Sequence, residues 1–250
     1  MWCGAREVCA AVLALALGGC GGSNSVSSKT PPAKAQVRFV EGAPVLEALV
    51  NGVPTGIGES VYLTANGATV ASSFGYGTRT PFVPVPAAPL SLIVANSLGY
   101  AVGPVKTSTA LTSGKSYTVI LIGAYPRYKV LTFEEPPAGP NATLALYEAS
   151  PSFPSADFGS FTASTHSNFR KLGSAHFGNL VTVSLGKNVA DFGGYAGTGT
   201  NPLNNGALSL SSVDSLDTTN VLPFRNATRL SLFVFDPGSS SGPVFGNLDL

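Results

Sequence analysis

Glu134-Glu135-Pro136-Pro137-Ala138-Gly139-Pro140, followed by Asn141-Ala142-Thr143-Leu144-Ala145-Leu146-Tyr147-Glu148-Ala149-Ser150-Pro151, is a break followed by a restart. The prolines lack ladder donors and the glycine is conformationally loose, so residues 134–140 interrupt any sheet. After them ATLALYEASP, Ala142 to Pro151, repeats the pattern of AQVRFVEGAP, Ala35 to Pro44: an Ala start, apolar alternation, Glu, a small pair and Pro. The repetition predicts two similar modules, 35–133 and 141–250, with residues 134–140 as their hinge.

The rest of the composition suits many short strands. Only 11% of the 250 residues are charged, whereas Gly (29) and Pro (19) are abundant, which argues against helix bundles and coiled coils. The formal net charge is +1, too little for a nucleic-acid footprint or a polybasic membrane patch.

Working outward from the break, Lys129 to Phe133 reads as the last strand of the first module. Ser116 to Gly123, SYTVILIG, is the clearest strand, β-branched and aromatic nearly throughout and bounded by glycines. Pro89 to Asn96 is another. Pro81-Phe82-Val83-Pro84-Val85-Pro86 holds three prolines and belongs at a sheet edge. Ser60 to Leu63 and Ala68 to Phe74 are short strands, and Gly56-Ile57-Gly58 reads as loop. Asn51-Gly52 is a turn after the strand Val45 to Val50. In the strand opening the module, Val37, Phe39 and Glu41 share one face, and Arg38 and Val40 take the other. In the second module Ala142 to Tyr147, Leu180 to Leu185, Ala207 to Val213 and Arg229 to Phe235 read as strands. Ala190 to Gly206 reads as a long loop, and Val244 to Leu250 as a short edge strand. About seven strands per module, with frequent turn signals, predict an all-β chain of two tandem antiparallel immunoglobulin-like β-sandwich modules. The Cys/Trp/Cys core signature is absent, since Trp2 is the only Trp.

The N-terminus is the most specific stretch. Val8 to Leu17 is an apolar run too short to span a bilayer, and reads as the core of a secretory signal over residues 1–19. Leu17-Gly18-Gly19-Cys20 resembles the lipobox of bacterial lipoproteins. That resemblance implies cleavage before Cys20 and lipidation of its thiol, with firm anchoring because each buried methylene contributes about 0.8 kcal/mol. Cys3 and Cys9 would leave with the signal, so no disulfide framework or thiolate metal site is expected. Residues 20–34 read as a flexible tether rich in Gly and Ser. Gly21 stands where Asp would imply inner-membrane retention, which favours the outer membrane.

AQVRFVEGAP, FGYGTRTPFVPVP, LTSGKSYTVILIG and PPAGPNATLALYEASP together resemble the bacterial domain-of-unknown-function family forty-three ninety-seven. Its pattern opens each module with a strand, then small residues and Pro, then an acidic residue, matched by Glu47 and Asp157. The family commonly has His after the first strand, where this chain has Glu41 and Glu148. The resemblance implies sandwich modules on secreted proteins and lipoproteins; the family has no established activity, so the resemblance speaks to fold and location only.

Candidate chemistry is sparse. His166 or His176 with Ser164, Ser167 or Ser174, and Asp157 or Asp191 as orienter, would make a hydrolase, although no Gly-x-Ser-x-Gly elbow is present. Glu134 and Glu135 read as solvated linker charges. Asp214, Asp217, Asp236 and Asp249 are the only oxygen-rich group for Ca²⁺ in the last third, without EF-hand spacing. Asn141 and Asn226 open glycosylation sequons that read as strand starts. Phe74, Tyr76, Phe82, Tyr100, Tyr125 and Tyr128 are candidates for stacking on glycan rings, against a default of packing. No stretch specifies an activity. The expectation is a non-enzymatic cell-envelope lipoprotein with a structural or binding role, without cofactor, partnered by the membrane through Cys20 and by a surface glycan or protein. A carbohydrate- or peptide-binding accessory module is the alternative, and a Ser/His hydrolase the distant one.

Overall fold

Both faces of four strands are buried, which explains why their sequences run apolar without alternation. A computed structural model describes residues 33–57, 61–96, 98–137, 143–162, 167–184, 191–196, 201–202, 229–236 and 244–249. All lie in one compact unit, Pro32–Leu250. The signal motif at residues 17–20, His166, Ser164, Asp214, Asp217, Asn141, Asn226 and the strand expected at 207–213 lie outside the described residues.

Among the described residues every regular element is a strand. The first half contains β1 (Lys34–Glu41), β2 (Glu47–Val50), β3 (Val53–Gly56), β4 (Val61–Ala65), β5 (Ala68–Ala71), β6 (Val83–Pro86), β7 (Pro89–Asn96), β8 (Ala101–Ala110), β9 (Ser116–Ile122) and β10 (Lys129–Glu134). The second contains β11 (Thr143–Glu148), β12 (Ser155–Thr162), β13 (Ser167–His176), β14 (Leu180–Ser184), β15 (Asp191–Ala196), β16 (Asn201–Pro202), β17 (Arg229–Val234) and β18 (Val244–Asp249).

Two sheets have the same plan. In the order β10-β9-β1-β6, β1 is central, with β9 parallel on one side and β6 antiparallel on the other; β10 then returns along β9. In the order β14-β11-β17-β18, β11 is central, with β17 parallel, β14 antiparallel and β18 returning along β17. The parallel pairs correct the expectation of antiparallel pairing throughout. A parallel neighbour needs a long crossover, and here the chain makes it by way of a second sheet.

Those second sheets, β5-β4-β7-β8 and β13-β12-β15-β16, face the first two. Ala35, Val37 and Phe39 of β1 and Val119 and Leu121 of β9 pack with Leu63, Leu92 and Val94. Leu144 and Leu146 of β11 and Leu230 and Leu232 of β17 pack with Ala156, Phe158 and Ala175. The opposite faces of the two like sheets meet each other in a third core, where Val40, Ile120, Ile122 and Phe133 join Ala145, Tyr147, Phe233 and Phe235. β1, β9, β11 and β17 are therefore covered on both faces, as buried parallel strands require.

The turn chemistry works as expected at Asn51-Gly52, where φ values of 53° and 81° close the β2–β3 hairpin. Prolines hold β6 at a sheet edge, and β18 is also an edge strand. Two readings are corrected. Gly56, expected with Ile57 and Gly58 as loop, ends β3 (Val53–Gly56), and β15 and β16 occupy part of the stretch 190–206 expected as loop. In β15 the backbone of Gly193 and Gly194 pairs with Gly159 and Phe158 of β12, so ladder bonds form where side chains signal a loop.

Candidate functional site

The candidate catalytic groups come together only in part. Ser174 and His176 lie two residues apart on β13, hence on one face and roughly 7 Å apart. The Ser174 hydroxyl donates to Asp157 Oδ1 at 2.6 Å, and Lys171 Nζ lies 2.8 Å from the same oxygen. Burial raises the Asp157 carboxyl, but Lys171 and Ser174 outweigh it and hold the group below its ordinary value. Ser174 is thus oriented towards a carboxylate, while the His176 side chain is exposed. Ser167 and Asp191 fall in β13 and β15.

Of the acidic residues proposed for Ca²⁺, Asp236 accepts hydrogen bonds from Ser150 Oγ and from Ser152 N (3.2 Å), and Asp249 falls in β18. Among the described residues no three His, Cys, Asp or Glu side chains gather as metal ligands. The aromatics do not share one role. Phe74 is core, Tyr76 donates to Asp236 O at 2.6 Å, and Tyr128 donates to Val45 O at 3.1 Å while accepting from Glu47 N at 2.7 Å. Phe82 and Tyr100 are exposed, and Tyr125 is half-buried.

The strongest polar constellation was not singled out by the sequence. It lies between the two like sheets and centres on Arg38, whose side chain is fully buried. Arg38 is on the face of β1 away from Val37 and Phe39, opposite Thr118 of β9. Its Nε donates to Thr118 Oγ1 at 2.6 Å, and its Nη2 to Tyr147 Oη at 2.8 Å and Ser231 Oγ at 3.0 Å. Glu135 Oε1 stands 3.4 Å from Nη2 and accepts from the Tyr147 hydroxyl at 2.7 Å and from Thr118. Glu135 Oε2 accepts from Arg229 Nη1, and Arg229 Nη2 donates to Pro136 O at 2.8 Å. The guanidinium also lies over the rings of Phe82, Tyr147 and Phe233 at 5.1, 5.5 and 5.5 Å. Burial, with Arg38 opposing and Glu135 reinforcing it, pushes the Tyr147 hydroxyl above its ordinary value.

This corrects the reading of Glu135 as a linker charge. Only its neighbour Glu134 behaves so, half-exposed beside Lys115. In an extended chain adjacent residues point apart, so one glutamate reaches solvent and the other the interface. Glu135 is accordingly packed between the halves, and the neighbouring Pro136 carbonyl is held by Arg229.

A second feature is duplicated. Glu41 and Glu148 end β1 and β11 and are buried. In each, Oε1 accepts the backbone N–H two residues on, from Ala43 at 2.7 Å and Ser150 at 3.0 Å, and Oε2 has no hydrogen-bond partner among the described residues. Each backbone is held by a glycine turn: Gly77 N donates to Glu41 O and Glu41 N to Thr78 O, as Gly178 N donates to Glu148 O and Glu148 N to Asn179 O. Burial raises both carboxyls to about 8 against the lesser opposing effect of the N–H bonds; Asp236 adds to the rise at Glu148.

Residues 48–159 match the family model described as Domain of unknown function (DUF4397). The match runs from β2 through the 134–140 stretch into β12. No curated protein matches the chain.

Proposed function

We propose that this protein, whose residues 48–159 match the DUF4397 family model, is a non-enzymatic cell-envelope lipoprotein, lipidated at Cys20, with a structural or binding role at the bacterial surface. The observation that carries the reading is the use of a buried charged cluster: Arg38 and Arg229 both pair with Glu135 across the joint between the halves. Buried charges committed to one another support a scaffold, because an interior ion pair must be mutually satisfied to be tolerated at all. The equivalent strand orders of the two like sheets support reading 35–133 and 141–250 as tandem modules. Leu17-Gly18-Gly19-Cys20 supports the anchor, and Gly21 an outer-membrane destination.

Fractionation tests the anchor. The wild-type chain partitions with membranes and into detergent, and Cys20→Ala moves to the soluble fraction. Unchanged membrane recovery of that variant sinks the proposal.

A second reading, a carbohydrate- or peptide-binding module, is favoured by exposed Phe82 and Tyr100, at 40% and 38% exposure. Aromatic rings left in solvent are suited to stacking on sugars. Glycan-array binding that is lost in Tyr100→Ala supports this reading, and no binding across a broad array removes it.

A further inference from the structure

The duplicated glutamates carry a consequence beyond anchoring or binding. A buried carboxyl with one unpartnered oxygen is costly as an ion and much less so as a neutral acid. The same arrangement occurs at the end of both central strands, built from different sequences, VEGA and YEAS. Duplication of the full geometry, including the glycine turn that closes each backbone, marks a built device.

The two sites are joined through a short path. The turn that holds Glu41 also carries Tyr76, whose hydroxyl donates to Asp236 O. The Asp236 carboxylate accepts from Ser150 Oγ, and Ser150 N donates to Glu148. Gly42, next to Glu41, lies against the Phe235 ring. Both glutamates therefore border the same end of the joint between the halves.

We propose that Glu41 and Glu148 are a matched pair of proton latches. As neutral acids they keep the ends of β1 and β11 closed, and on ionising they release the glycine turns and the Tyr76–Asp236 contact that joins the halves. The charged and titratable groups around Glu41 are Glu47 at the start of β2, Tyr128 after β9 and Arg79, which bridges from beyond Tyr76 to Val40. Around Glu148 they are Asp236 after β17 and His176, whose carbonyl accepts from Asn179 N in the capping turn. Asp236 opposes ionisation of Glu148.

The sign follows from linkage. In the unfolded chain these carboxyls lose their protons near 4.5, whereas in the folded protein they hold them to about 8. The folded state binds more protons between those values, so the stabilisation is complete below about 4.5 and is lost as pH rises through about 8.

Thermal unfolding of the full chain from pH 5 to pH 9 tests this. Wild type loses roughly 10 °C or more of Tm across the range, and E41Q/E148Q, which cannot ionise, loses little of it. Each single variant removes part of the fall. A flat wild-type profile, or an equal fall in the double variant, overturns the proposal. Should the double variant not fold, wild type decides alone: isotope-edited infrared spectroscopy at pH 7 shows protonated glutamic acid carboxyls that disappear by pH 9. Fully ionised glutamates at pH 7 overturn it equally.

Discussion

Glu135→Gln is the perturbation that most directly probes what joins the two halves. It keeps the shape of the side chain and removes the charge that faces Arg38 at 3.4 Å and also pairs with Arg229. Arg38 is fully buried, so the change leaves a guanidinium inside the protein without the carboxylate it faces, beside the neutral hydroxyls of Thr118, Tyr147 and Ser231. Removing one partner of a buried pair costs about 3–5 kcal/mol. The Coulomb energy alone is not the reason, since an effective dielectric near 20 moderates it; the penalty is the desolvated charge left behind. Against a total stability of about 5–15 kcal/mol that is a large fraction. Urea unfolding followed by tyrosine fluorescence and circular dichroism shows the loss as a midpoint lowered by roughly 1–3 M.

Two companions make the argument refutable. Glu134→Gln, one residue away but half-exposed beside Lys115, leaves the midpoint unchanged within error. Arg38→Met combined with Glu135→Gln removes both charges and costs less than the sum of the two single changes by about 2 kcal/mol or more. If Glu135→Gln costs below about 1 kcal/mol, or if the two changes simply add, the buried pair is not what couples the halves.

Three further outcomes follow from the same geometry. Tyr147→Phe keeps the stack on Phe233, with ring centroids 4.6 Å apart, but removes a hydroxyl shared by Arg38 and Glu135, and costs about 1.5–3 kcal/mol by denaturant titration. Gly42→Ala places a methyl 2.6 Å from the Phe235 ring, and costs about 1–3 kcal/mol by the same measurement, less if the ring rotates away. Gly123→Ala is worse, because φ is +96° and the nearest atom, 2.8 Å from the new methyl, is the backbone oxygen of Arg127; reduced soluble yield and a lowered Tm are expected, and wild-type values contradict the reasoning.

Local signals were legible where side chains declared their surroundings. β7, β9, β10, β14 and β17 were visible as apolar runs carrying β-branched or aromatic residues, and β6 as an edge because its prolines cannot donate. The repeat AQVRFVEGAP/ATLALYEASP located β1 and β11, which the structure places at equivalent central positions. β8 was missed because Gly103 and Pro104 interrupt it. In β12 and β13 small and polar residues interrupt the apolar pattern, and register shifts at Phe158/Gly159 and Ser160/Thr162 break the alternation.

The Arg38 cluster was illegible for a different reason. Its partners lie 80, 97, 109 and 193 residues away in sequence, on β9, after β10, on β11 and on β17. No window of sequence contains two of them in a recognisable spacing. The signal available was that Arg38 interrupts an apolar strand whose other face is also apolar, which is unusual for a strand with one face in water.

Short-range chemistry therefore set the strand class, the edges, the turns and the doubling of the pattern, because pleat periodicity, proline and positive-φ turns act within a few residues. Which glutamate is solvated and which is interior depended on the sheet that arrives from the far end of the chain. Burial is a property of the assembled layers, and with it came the pairing of Arg38 to Glu135 and the protonation of Glu41 and Glu148.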